Sequence, residues 1–126
     1  MAALCLMLGA AAVALGADTA DLRWIHSVQK TEWRETWRAS PEGLQLEQAA
    51  VQGSGAGMDP GADAVLRDGF WVWRPKLPPQ AELVLTRSPY TGNDWTICPA
   101  GHGCRPLGSY FPGVAADQAV TLKPCS

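Results

Sequence analysis

The segment Trp24 to Trp37 reads WIHSVQKTEWRETW and sets a histidine, a lysine and two glutamates among three tryptophans. Leu22, Trp24, His26 and Val28 alternate with Arg23, Ile25 and Ser27, and Trp33, Glu35 and Trp37 alternate with Glu32, Arg34, Thr36 and Arg38. That is the period of half-buried strands, and it predicts a hairpin turning across Gln29-Lys30. The apolar faces of the two strands must coincide, because a one-residue slip turns one strand's apolar set toward water. A two-residue turn pairs His26 with Trp33; a four-residue loop pairs His26 with Glu35 directly. Either register places His26 and Glu35 on one mostly buried face, where each needs a hydrogen-bond partner and the other is the nearest candidate. Two readings stay open: a structural polar pair that fixes register, or a ligand or catalytic site in which Glu35 orients His26. Ser27 and Lys30 flank that pair and join it as candidate binding residues.

The next candidate is Gly53-Ser54-Gly55-Ala56-Gly57-Met58-Asp59-Pro60. Glycines permit positive φ and bring bare backbone amides close to whatever lies opposite, so Gly55 and Gly57 are candidate binding positions in an anion-holding backbone nest. A tight bend between strands is the competing reading. A phosphate loop is excluded, because no Lys-Ser or Lys-Thr follows and no GxGxxG opens a helix. Ser27, Ser54, Ser88 and Ser109 are weak nucleophile candidates, since none stands in G-x-S-x-G. Cys98 and Cys104, in CPAGHGC, are spaced to close a disulfide in an oxidising compartment. A metal held by Cys98, His102 and Cys104 is the alternative, and Cys125 is left over or competes for a partner.

The elements that must carry these groups are short strands. Leu44 and Leu46 alternate with polar neighbours and lead through Val51, and Phe70 to Arg74, Glu82 to Thr86, Trp95 to Cys98 and Val120 to Leu122 follow, separated by proline and glycine turns. Only Pro60 to Arg67 reads as a short helix. The pattern predicts an all-β chain, a single small antiparallel β-sandwich or barrel. With 126 residues there is room for one domain. Residues Met1 to Ala17 carry no charged side chain and end in small residues before Asp18. They read as a secretory signal peptide cleaved near Ala17, or as an N-terminal anchor, with the folded part, residues 18–126, beginning near Asp18 and exported to the periplasm or held at the inner membrane. Membrane contact is then expected only through an uncleaved leader. The net charge of −2, with both signs interspersed, gives no basic stripe and argues against nucleic-acid binding; six tryptophans argue against disorder. No cofactor and no metal are indicated.

Three elements carry a resemblance: W-I-H-S-V-x-K-T-x-W-x-E-x-W at Trp24 to Trp37, G-S-G-A-G-M at Gly53 to Met58, and D-G-F-W-V-W at Asp68 to Trp73. Together they resemble the bacterial domain-of-unknown-function family numbered eighteen-fifty. Asp59, between Met58 and Pro60, departs from the direct run into proline expected of that family. The resemblance implies an exported accessory or binding protein encoded beside TRAP-type transporters of the TAXI class, which move small organic anions with a periplasmic receptor. The implied partner is a receptor or membrane subunit of such a transporter, and no catalytic residue is implied. The alternative function is a periplasmic hydrolase-like enzyme centred on His26 and Glu35.

Overall fold

The computed structural model describes residues 3–25, 31–52, 63–86, 95–113 and 118–125. Within these residues the chain forms β1 (Leu4–Leu8), β2 (Ala11–Ala14), β3 (Thr19–Ile25), β4 (Glu32–Ser40), β5 (Gly43–Gln52), β6 (Val65–Arg67), β7 (Phe70–Trp73), β8 (Leu83–Leu85), β9 (Thr96–Pro99), β10 (Arg105–Pro106) and β11 (Val120–Pro124). A single 3-10 turn covers Leu107–Tyr110. The first sheet has the order β2-β1-β11-β8 and the second the order β10-β9-β3-β4-β5-β7-β6, with all pairings antiparallel. The two open sheets face each other as a sandwich, and neither closes into a barrel. No described helix is long and apolar enough to cross a membrane.

The core forms where the apolar sets of the two sheets meet. Leu4, Leu6, Leu85, Val120 and Leu122 come from the first sheet, and Ala20, Leu22, Trp37, Ala39, Leu44, Leu46 and Ile97 from the second. Six of these leucines and valines are completely covered, each contributing on the order of 2 kcal/mol through burial. A register shift between Thr36 and Trp37 keeps that face apolar along β5. Before it Ala49 and Val51 point inward, and after it Leu44 and Leu46 do, so one bulge reconciles odd and even positions in one strand.

The structure carries two strands N-terminal to Asp18, where the folded part was expected to begin. Residues 4–14, set aside by composition as a leader, form β1 and β2, and β1 lies between β2 and β11 inside the first sheet. Leu4 and Leu6 are fully buried, Leu4 N–H donates to the carbonyl of Ala17 at 2.9 Å, and Leu15 N–H donates to the carbonyl of Leu4 at 3.0 Å. A disulfide joins Cys5 to Cys125, so Cys125 is not left over. The proposed helix at Pro60 to Arg67 is also corrected in its described part, where Val65–Arg67 is strand β6. The Asp68-Gly69 pair turns β6 into β7, with Arg67 opposite Phe70 and φ of 53° at Asp68 and 83° at Gly69. Those are the positive-φ positions of a two-residue hairpin turn for which Asp-Gly is suited.

Candidate binding face

Cross-strand register fixes which side chains share a face, because residues directly opposite point the same way. On the inward face of the second sheet, Leu22 of β3, Glu35 of β4, Ala49 of β5 and Trp73 of β7 form one row. Trp24, Trp33, Val51 and Trp71 form the next row. The small residues Ala49 and Val51 thus lie between a wall of Trp33 and Glu35 and a wall of Trp71 and Trp73, two strand spacings apart, or about 10 Å. Trp24 stacks on Trp33 with ring centroids 6.0 Å apart and planes at 15°, and on its other side meets Trp95 at 4.8 Å. Trp95 Nε1 donates to the carbonyl of Thr86 at 3.0 Å, which ties this end of β9 to the chain leaving β8. All five of these tryptophans are half-buried, whereas Trp37, further down the face, is in the core.

Glu35 stands in this aromatic setting with one anchoring bond. The indole Nε1 of Trp37 donates to its Oε1 at 3.0 Å. Burial raises the Glu35 carboxyl above its ordinary range, and the Trp37 bond opposes that rise. No described lysine, arginine or histidine pairs with it. The arginines of the neighbouring strand positions lie on the opposite face, where Arg23 is directly across from Arg34. There Arg23 pairs with Asp21 at 3.6 Å, Arg34 pairs with Glu32 and sits 4.2 Å over the ring of Phe70, and Thr36 Oγ1 donates to Asp21 Oδ1 at 2.7 Å. These charges are internally matched. Asp21, Arg34 and Thr36 line an outward groove of about 180 Å³ with Gln48 and Arg67.

The expected facing of the hairpin holds, since Leu22, Trp24, Trp33, Glu35 and Trp37 share one face. Its register is corrected: Trp33 lies opposite Trp24 and Glu35 opposite Leu22, not opposite His26. Among the described residues the pairing runs as far as Ile25 opposite Glu32, one position beyond the stacked pair Trp24 and Trp33. Of the candidate binding residues, Glu35 is placed as described, while His26, Ser27, Lys30, Gly55 and Gly57 lie outside the described residues. The strand ends that lead into those segments are together, for Ile25, Glu32 and Gln52 sit at the same end of the second sheet. Cys98 and Cys104 form the expected disulfide, with Cα atoms 4.1 Å apart. That bond occupies both sulfurs and replaces the metal alternative. His102 instead places Nε2 3.3 Å from the carbonyl oxygen of Gly16, in an open cleft of about 520 Å³ bordered by Leu15, Arg105 and Tyr110.

Trp71, Trp73 and Trp95 belong to the face but were not among the sequence candidates. Their signal was the alternation in Phe70-Trp71-Val72-Trp73, which reads as a strand and gives no indication of which strand it will join.

Residues 20–107 match the family described as domain of unknown function DUF1850. The chain belongs to the DUF1850 family. Neither a curated protein nor a solved structure matches it. The DUF1850 match takes in nearly the whole second sheet, including every residue of the tryptophan face, whereas β1, β2 and β11 of the first sheet fall outside it. Two disulfides suit this DUF1850 domain to an oxidising, exported environment.

Proposed function

We propose that this DUF1850 domain is a non-catalytic periplasmic binding module that serves a TRAP-type transporter of the TAXI class by docking on its receptor or membrane subunit. The observation that carries the reading is the half-buried tryptophan face of the second sheet. Tryptophans held on a rigid sheet and only half covered are the residue type that anchors protein interfaces, where one buried indole contributes more than many polar contacts. Trp24, Trp33, Trp71, Trp73 and Trp95 share that arrangement; strand pairing fixes the backbones of the first four, and the carbonyl of Trp95 accepts from Leu107 N–H at 2.7 Å. The association with a transporter comes from the family resemblance and gives the partner its identity. Residues 3–17 are proposed to stay with the exported domain, since cleavage near Ala17 would strip two strands from a four-stranded sheet.

Affinity capture from the native host tests the reading. Wild-type protein should retain a TRAP receptor or membrane subunit, identified by mass spectrometry, and the Trp71→Ala/Trp73→Ala variant should lose it while keeping the far-ultraviolet circular dichroism of a folded β domain. Equal capture by both would remove this face from the interaction. The enzymatic alternative makes a different demand: turnover of a small ester or amide that disappears with His26→Ala while the fold survives.

A further inference from the structure

We propose that the tryptophan face receives a primary ammonium group, the head of a lysine side chain presented by the docking partner, against the carboxylate of Glu35. This inference rests on the reading of that face as a protein-binding surface and specifies the chemistry of the group that enters it. Three observations converge. Glu35 is a half-buried carboxylate whose described neighbours on its own face are Leu22, Trp24, Trp33, Trp37, Ala49 and Trp73, with no cation among them. Arg23 of the adjoining β3 and Arg34 of β4 itself point to the other face and are paired there with Asp21 and Glu32. One carboxylate oxygen, Oε1, is engaged by the Trp37 indole, which orients the group and leaves Oε2 without a partner among the described residues.

A carboxylate removed from water and given no counter-ion is costly unless something pairs with it. An ammonium supplies the missing charge. The surrounding indoles add to that preference, because the face of a tryptophan ring carries negative quadrupole density and attracts a cation within about 6 Å of its centroid. The four-carbon stem of lysine suits the approach, since it can lie along indole surface while the charged head reaches the acid. Ala49 and Val51 are covered between the two aromatic walls, so the stem would run along the half-exposed indole surfaces themselves. A guanidinium would also carry charge, but one free carboxylate oxygen does not offer the bidentate fork that arginine prefers.

The test uses the full chain and butylammonium, which reproduces the lysine side chain. Tryptophan emission should respond saturably to butylammonium and not to 1-butanol at the same concentrations, and Glu35→Gln should weaken the response at least about tenfold. Glu35→Gln keeps an acceptor for Trp37, so its near-ultraviolet spectrum should be unchanged. An equal response to butanol, or an undiminished response in Glu35→Gln, overturns the ammonium site. Capture of the transporter subunit separates this failure from failure of the interface itself. Loss of capture in Trp71→Ala/Trp73→Ala with full capture by Glu35→Gln would refute the lysine contact and leave the tryptophan interface standing.

Discussion

Replacing both Cys5 and Cys125 with alanine should destabilise the domain by about 5 kcal/mol, against about 2 kcal/mol for the corresponding Cys98 and Cys104 variant. The difference follows from the loops that the two bonds close. Cys5 and Cys125 are 120 residues apart, whereas Cys98 and Cys104 are 6 apart, and the entropy withdrawn from the unfolded chain grows with the logarithm of loop length. At 298 K that relation gives roughly 4.9 kcal/mol for the long loop and roughly 2.2 kcal/mol for the short one. A domain of this size has about 5 to 15 kcal/mol in all, so loss of the long bridge alone takes a large fraction of the total. Urea unfolding under non-reducing conditions, followed by tryptophan emission, measures both variants against wild type. Intact mass of exported material provides the companion measurement, because only a chain that retains Cys5 can form the bond. If the long-bridge variant unfolds at the same urea concentration as the short-bridge variant, or if exported protein begins after Ala17 with Cys125 free, the placement of β1 beside β11 is refuted.

Two further outcomes are expected. With its folded carboxyl raised above the unfolded value, Glu35 binds its proton more tightly in the native state, so its contribution is present at low pH and is lost as pH climbs from near 4.5 through the folded value; Glu35→Gln should flatten that decline in a pH series of urea midpoints, and an unaltered decline would contradict the assignment. Gly43 has φ of 125°, and a Cβ there would stand 2.3 Å from the carbonyl oxygen of Gln80, so Gly43→Ala should cost roughly 3 kcal/mol or more by forcing β5 from its bridge at Leu44 and Gln80, whereas a change under about 1 kcal/mol in thermal unfolding would show that this approach is not tight.

The second sheet was legible because its strands are half-buried. Leu22 and Trp24, then Trp33, Glu35 and Trp37, alternate with polar residues that do face the other way, and the shared face followed from parity alone. The first sheet was not legible in its N-terminal half. β1 is flanked by β2 and β11, its even residues fill the core and its Cys5 is spent in a disulfide, so neither face needs a charge and the strand reads as an unbroken apolar run. Composition cannot distinguish such a strand from a leader of the same length. Register escaped for a different reason: parity fixes faces but leaves every even shift allowed, and nothing in the alternation singles out the shift that sets Trp24 opposite Trp33. For the candidate site, the sequence supplied Glu35 and the tryptophans of β3 and β4. It could not supply Trp71 and Trp73, which arrive beside them only through the pairing of β5 with β7.

Because Cys5 and Cys125 are bonded, tension applied to the polypeptide on either side of them has a path that bypasses both sheets. Of the described residues, nearly all lie on the arc between the two sulfurs, shielded from any pull transmitted by flanking chain. A pull applied between the chain on the two sides of the bond would therefore pass through the sulfurs and leave the tryptophan face in register. Cutting that bond would convert the same pull into a peeling force on β1 and β11, the geometry in which hydrogen bonds between strands give way one at a time.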